Sequence, residues 1–307
     1  MKTSIVIVTF NGMKWIENCI ESILKSTMQP EIIVVDNCST DDTVHFLKNK
    51  YSEKIILIES NENLGFGRAN NLGISLALQS DSDFIFLLNQ DTIIQKDTVE
   101  KLFELAIKNP DFGIISPIHT NGDGSSLDIS FLYYINKQCQ SLVSDSILNK
   151  EMKDIYQLEM INAAAWFLPR KTLESVGGFD PLFFLYGEDD NFCQRVLYHK
   201  LKIGITPLTA IKHDSGNNFK VDFPKGSPNF YNKFLNRVKV QYGDVNTNDF
   251  KKLDKLKRYF LKEAFISFLK LNFTEYQVNK KKYKLINPTE IKLSVTQNRE
   301  LGLKYLH

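Results

Sequence analysis

The sequence predicts an α/β fold: a mainly parallel, mixed sheet flanked by helices, followed by a helical C-terminal extension. Three observations carry this. β-branched runs alternate with amphipathic stretches through the first half of the chain. Three of the runs end in small polar or acidic residues, Thr9-Phe10-Asn11, Asp36-Asn37 and Asn89-Gln90-Asp91. From Lys251 to His307 there are 14 Lys and Arg against 5 Asp and Glu, a surplus of nine cations. The whole chain has 38 and 36, so the remainder carries a surplus of seven anions.

The elements follow in order. Residues 4–9 form a continuous β-branched run, as a strand covered on both faces requires. Trp15, Ile16, Cys19, Ile20, Ile23 and Leu24 then fall on one helical stripe, which Pro30 closes. Residues 31–35 predict a second strand. Ser39 or Thr40 is an N-cap candidate for the next helix, with Asp41 and Asp42 favourable in its first turn. Strands over 54–59 and 84–88 and helices over 66–79 and 96–108 continue the alternation. Residues 121–154 read as irregular and polar, with a loop at Asn121-Gly122-Asp123-Gly124. A strand over 159–169 contains Ala163-Ala164-Ala165, and a short helix over 170–176 stops at Gly177-Gly178. A helix over 188–200 and a strand over 202–206 follow. The Pro-, Gly- and Asn-rich segment 217–228 marks a boundary. It divides a main domain, 1–216, from a basic, largely helical extension, 217–307, with a helix over 250–271.

Composition excludes several classes. With 43% hydrophobic and 24% charged residues in 307, the chain is neither disordered nor collagen-like. Cysteines 19, 38, 139 and 193 show no CxxC spacing, which argues against a zinc site or a disulfide framework and fits a reducing compartment. The apolar run 4–10 is too short for a secretory signal, and no stretch approaches the ~20 apolar residues that span a bilayer. The expected location is the cytoplasm, at the inner face of the cell membrane if the tail binds lipid.

Ligands of such sheets sit beyond the carboxyl ends of the strands. One polar strand end is ordinary turn chemistry; three on one edge favour a site. Asp91 can hold a hard divalent ion such as Mg²⁺ or Mn²⁺, with Asn89 a weaker neutral ligand. In Asn63-Leu64-Gly65-Phe66-Gly67-Arg68-Ala69-Asn70-Asn71, glycines permit close backbone approach and Arg68 can meet a phosphate or a base. The plain alternative is a loop entering a helix. Neither a GK[ST] loop end nor a GxGxxG turn is present. Gly187-Glu188-Asp189-Asp190-Asn191 opens a helix. Three acids there suit the dipole, but crowding raises at least one pKa and suits a general base. Arg195 lies at helical spacing from Asp190 or Asn191. His213, alone after a strand, matters only if it faces Asp91.

Taken together, the sequence resembles family 2 glycosyltransferases of the GT-A fold, most like bacterial rhamnosyltransferases of surface polysaccharide synthesis. The resemblance rests on Ile7-Val8-Thr9-Phe10-Asn11, Val35-Asp36-Asn37-Cys38-Ser39-Thr40-Asp41, the 63–71 motif, Leu87-Leu88-Asn89-Gln90-Asp91, Gly177-Gly178-Phe179-Asp180 and Tyr186-Gly187-Glu188-Asp189. It covers roughly residues 1–215. It implies a nucleotide-sugar donor, a divalent metal, Mn²⁺ or Mg²⁺, and an inverting displacement onto a glycan or glycolipid acceptor. Thr9, Asn11, Asp36, Asn37, Arg68, Asn70, Asn89 and Glu188 are the implied donor-binding residues. Asp91 and His213 are the implied metal ligands, and Asp189 the general base. Two positions depart from the family: Asn89 and Asn191 stand where an acid is common.

Two other readings are a nucleotidyltransferase, disfavoured by the missing lysine-bearing glycine loop, and a non-catalytic sugar-nucleotide-binding protein, which Asn89 favours. In the tail, Leu253, Leu256, Phe260, Ala264, Phe265, Phe268 and Leu271 fall near one side of a basic helix. Such a helix either lies on an anionic membrane or packs on the main domain. No nucleic-acid motif accompanies the charge.

Overall fold

The computed structural model describes residues 1–216 and 223–306. The first half of the 217–228 segment, residues 217–222, therefore lies outside the described residues.

The elements alternate through the first half: β1 (Thr3–Thr9), α1 (Ile16–Leu24), β2 (Glu31–Asp36), α2 (Thr43–Tyr51), β3 (Ile56–Glu59), α3 (Phe66–Gln79), β4 (Phe84–Asn89), β5 (Thr92–Ile94) and α4 (Thr98–Lys108). Then come β6 (Phe112–Thr120), α5 (Ile129–Gln138), α6 (Gln140–Ile147), β7 (Tyr156–Leu158), β8 (Ala165–Pro169), α7 (Arg170–Val176), α8 (Glu188–Tyr198) and β9 (Lys202–His213). Four helices close the chain: α9 (Pro228–Tyr242), α10 (Phe250–Leu269), α11 (Phe273–Leu285) and α12 (Pro288–Arg299).

The sheet order is β3-β2-β1-β4-β8-β6-β9-β5, with β7 on β9. Strands β3, β2, β1 and β4 are parallel, as expected of β-α-β crossovers. β8 enters antiparallel to β4, so the sheet is mixed. Along β1, Ile5 and Ile7 join one core cluster and Val6 the other. This is why the run is apolar throughout: both faces are covered.

Several elements depart from the sequence reading. The expected polar loop 121–154 contains α5 and α6. Consecutive Phe131-Leu132-Tyr133-Tyr134-Ile135 hides the helical period, yet only Phe131 and Ile135, four apart, are buried. Helix α2 starts at Thr43 rather than at Ser39 or Thr40, because Ser39 Oγ accepts from the Asn11 N–H and Asp41 carries the turn into Thr43. The strand expected over 159–169 is β8 alone, and that expected over 202–206 runs on to His213.

The C-terminal helices are stitched onto the rest. Leu182 and Phe183 share a cluster with Val238, Tyr242, Leu253 and Phe260. Asp180 Oδ2 accepts from Ser294 Oγ at 2.5 Å and Asn298 Nδ2 at 2.6 Å, and the Gly178 N–H donates to the Lys304 carbonyl at 2.8 Å. The acid of the Gly-Gly-Phe-Asp motif thus anchors α12. The apolar stripe of α10 divides: Leu253, Phe260 and Ala264 are buried, whereas Phe265, Phe268 and Leu271 are exposed.

Candidate active site

Register places the site. β1 pairs Thr9 with Asp36 and Val8 with Asn89, so the ends of β2, β1 and β4 lie side by side. Antiparallel β8 pairs Ala165 with Leu88, which brings its entry, Ala163-Ala164, to the same edge. There the Ala163 N–H donates to Asp189 Oδ2 at 3.0 Å, and the Asn89 N–H donates to the Ala164 carbonyl at 3.0 Å. Asp36, Asp91 and Asp189 therefore share one edge of the sheet. With strands ~4.8 Å apart, Asp36 and Asn89 stand about 10 Å from each other across β1.

Several expected donor residues build the frame. Thr9 Oγ1 donates to Gln90 Oε1 at 2.6 Å, and the Phe10 N–H donates to the same oxygen. Asn11, at φ 49°, accepts from the Thr40 N–H at 2.8 Å. Asn37 accepts from the Leu64 N–H at 2.7 Å and donates to Asn63 Oδ1, which sets the 61–65 loop. Asn70 donates to the Phe66 carbonyl. Arg68 is exposed on the first turn of α3. Asn89 is half-buried.

Two loops meet above this edge. A Cβ on Gly65 (φ 78°) would lie 2.0 Å from the Phe184 carbonyl oxygen. One on Gly67 would lie 2.8 Å from Phe179 Cβ and 3.7 Å from Glu188 Cβ. The glycines let the start of α3 close on the start of α8. Asn71, which the sequence reading passed over, fixes that approach: it donates to the Phe179 carbonyl (2.8 Å) and accepts from the Phe179 N–H (2.7 Å).

The acids are perturbed. Burial, then the neighbouring Glu188 charge, pushes the Asp189 carboxyl well above its ordinary range. Burial likewise raises Glu188 and Asp190. Asn191 is not a ligand: its Oδ1 accepts from buried Arg195 Nε at 3.0 Å, while the guanidinium donates to the Val176 and Gly178 carbonyls. Among the described residues, the buried carboxylate oxygens without a hydrogen-bond partner are Asp36 Oδ1, Glu188 Oε2 and Asp189 Oδ1. Buried acceptors left unpaired are rare and call for a ligand or water to satisfy them.

His213 does face Asp91: its Nε2 lies 3.5 Å from Asp91 Oδ1, and its Nδ1 lies 3.5 Å from Asp128 Oδ2. Burial opposes its charge, but Asp128 and Asp91 prevail and raise its pKa to about 9. Asp128 also caps α5, accepting from the Phe131 N–H at 3.0 Å. The sequence reading missed Asp128 because it missed α5; an acid two residues before Ser130-Phe131 was the available signal. His119 packs near His213 (ring centroids 6.1 Å apart), where burial lowers its pKa to about 3. Asp91, Asp128 and His213 line a cavity of about 690 Å³ with Lys14, Trp15 and Asp214. Among the described residues, no three His, Cys, Asp or Glu side chains are grouped to hold a metal. Asp91 and His213 nonetheless present a carboxylate oxygen and an imidazole nitrogen side by side on this cavity, a donor pair that suits a divalent ion only with further ligands from outside the chain.

Comparison with known proteins bears on the family and the fold. Residues 4–151 match the family model described as Glycosyl transferase family 2. Glycosyltransferase GlyG of Streptococcus pneumoniae serotype 4 is 27% identical over 190 residues, 60% of each chain. The aligned part is thus less than two thirds of that protein's length. The O-antigen chain rhamnosyltransferase WbaN of Salmonella anatum is 25% identical, with 72% of this chain and 69% of WbaN covered. A fragment of S. aureus TarS solved with UDP superposes with a TM-score of 0.55 at 15% identity, covering 97% of this chain and 92% of that one.

Proposed function

We propose that this chain, which belongs to Glycosyl transferase family 2 and has the GT-A fold, transfers a sugar from a nucleotide-diphosphate donor to a hydroxyl of a lipid-linked or growing glycan acceptor, with inversion. A rhamnosyl donor in surface polysaccharide synthesis is the form the likeness to WbaN favours. We assign catalysis to residues 1–216. The observation that carries the reading is the convergence of three buried, unpartnered carboxylate oxygens, on Asp36, Glu188 and Asp189, along one sheet edge.

In this reading Asp36 accepts from the nucleoside and Arg68 meets the base or phosphates. Asp189 takes the proton of the acceptor hydroxyl as that oxygen attacks the anomeric carbon and the bond to the diphosphate breaks. Its raised pKa makes it a stronger base toward that proton. Asp91 and His213 would hold Mn²⁺ or Mg²⁺, which supplies positive charge beside the departing diphosphate.

The test is a thermal-shift screen of nucleotide sugars, followed by transfer assays with the stabilising donor and extracted lipid-linked acceptors. One donor should raise Tm and be consumed only with acceptor present. A donor that binds but is transferred to no acceptor would favour a non-catalytic sugar-nucleotide-binding protein.

A further inference from the structure

The exposed half of α10 is an apolar surface of its own. Leu261, Phe265, Phe268 and Leu269 recur at helical spacing on the side turned away from the buried stripe, and Leu271 and Phe273 extend them around the turn into α11. Phe265 is 62%, Leu271 74% and Phe273 56% exposed, so this is a protruding tip and not a groove. The Phe268 ring contacts both Phe273 and Tyr276, which holds the patch together across the turn.

The charges around the tip are predominantly positive. Arg258, Lys262 and Lys270 are exposed beside it, and among the described residues none of them pairs with a carboxylate. Of the nearby acids, Asp254 is held by Lys292 and Glu275 by Lys225, which leaves half-buried Glu263 as a single carboxylate against the three exposed cations. An apolar protein partner would leave three cations to be desolvated or matched. An anionic lipid surface takes both features at once, the rings below the headgroups and the cations among them. No described helix is long and apolar enough to cross a membrane.

We propose that the α10–α11 tip is a monotopic anchor that inserts into the interface of an anionic bilayer. The inference deepens the lipid-linked form of the proposed acceptor, but its test needs neither donor nor acceptor. The full chain is floated with phosphatidylcholine vesicles with and without phosphatidylglycerol. Flotation should require phosphatidylglycerol and weaken with salt. Phe265→Asp should abolish it, and Lys262→Glu should weaken it by at least fivefold, about 1 kcal/mol per cation. Both variants should keep the Tm of the parent, since neither side chain is buried. Absence of flotation on anionic vesicles overturns the proposal. So does a concentration-dependent dimer in sedimentation that Phe265→Asp breaks while flotation persists. Failure of sugar transfer with flotation intact would instead strike the proposed function alone.

Discussion

Replacing Asp189 by Asn separates chemistry from folding. In the structure Asp189 Oδ2 accepts one backbone hydrogen bond, from the Ala163 N–H, and Oδ1 is buried without a partner. An amide oxygen keeps the first contact, so the substitution does not destabilise the fold. The substitution also removes one of three crowded carboxylates. Loss of a general base costs typically 10²–10⁴-fold, which at 1.36 kcal/mol per decade is about 3–5 kcal/mol of transition-state stabilisation. Transfer should fall by that factor in a radiolabelled-sugar assay, while donor binding by calorimetry stays within about twofold. Transfer at the parent rate would refute the assignment of the base.

Further expectations follow from the same geometry. Glu188, Asp189 and Asp190 all have raised pKa values on folding, so the stability they allow is full below the ordinary carboxylate range and is lost as pH rises through the raised values. Asp189→Asn should therefore gain Tm over the parent at neutral pH, with the gap closing toward pH 3.8; a gap independent of pH would contradict the burial argument. Parent transfer activity should fall on acidification through the same range, since the base must be ionised. Asn71→Ala strips two buried bonds from Phe179 and should cost about 2–5 kcal/mol in chemical denaturation. Gly65→Ala meets both a φ of 78° and the Phe184 carbonyl, and should cost about 3 kcal/mol or more and weaken donor binding, read by Tm and calorimetry. Asp91→Asn should remove any stimulation of transfer by Mn²⁺ while UDP binding without metal persists.

The part of the fold legible in the sequence was the part whose apolar pattern matches its burial. The parallel strands and α3 read clearly because both sheet faces are covered and because Gly65 and Gly67 mark a close approach. Helix α5 did not, since Leu132 and Tyr133 are apolar but exposed and blur its period. Asp128 was lost with it. Asp36, Asp91 and Asp189 were readable as strand-end and helix-start acids, but the place of Asp189 on the shared edge depends on β8 running antiparallel to β4, which spacing does not encode. The division of the α10 stripe into buried and exposed halves was hidden for a similar reason: it reflects where α9 and α11 stop covering it, and not the helix's own period.

The most direct test is a crystal structure of the chain with UDP and Mn²⁺. The account predicts the nucleoside against Asp36 Oδ1, the diphosphate beside Asp91 and His213, and Asp189 facing the space beyond the β-phosphate. A nucleotide bound away from this edge, with those carboxylate oxygens still unpaired, would contradict it.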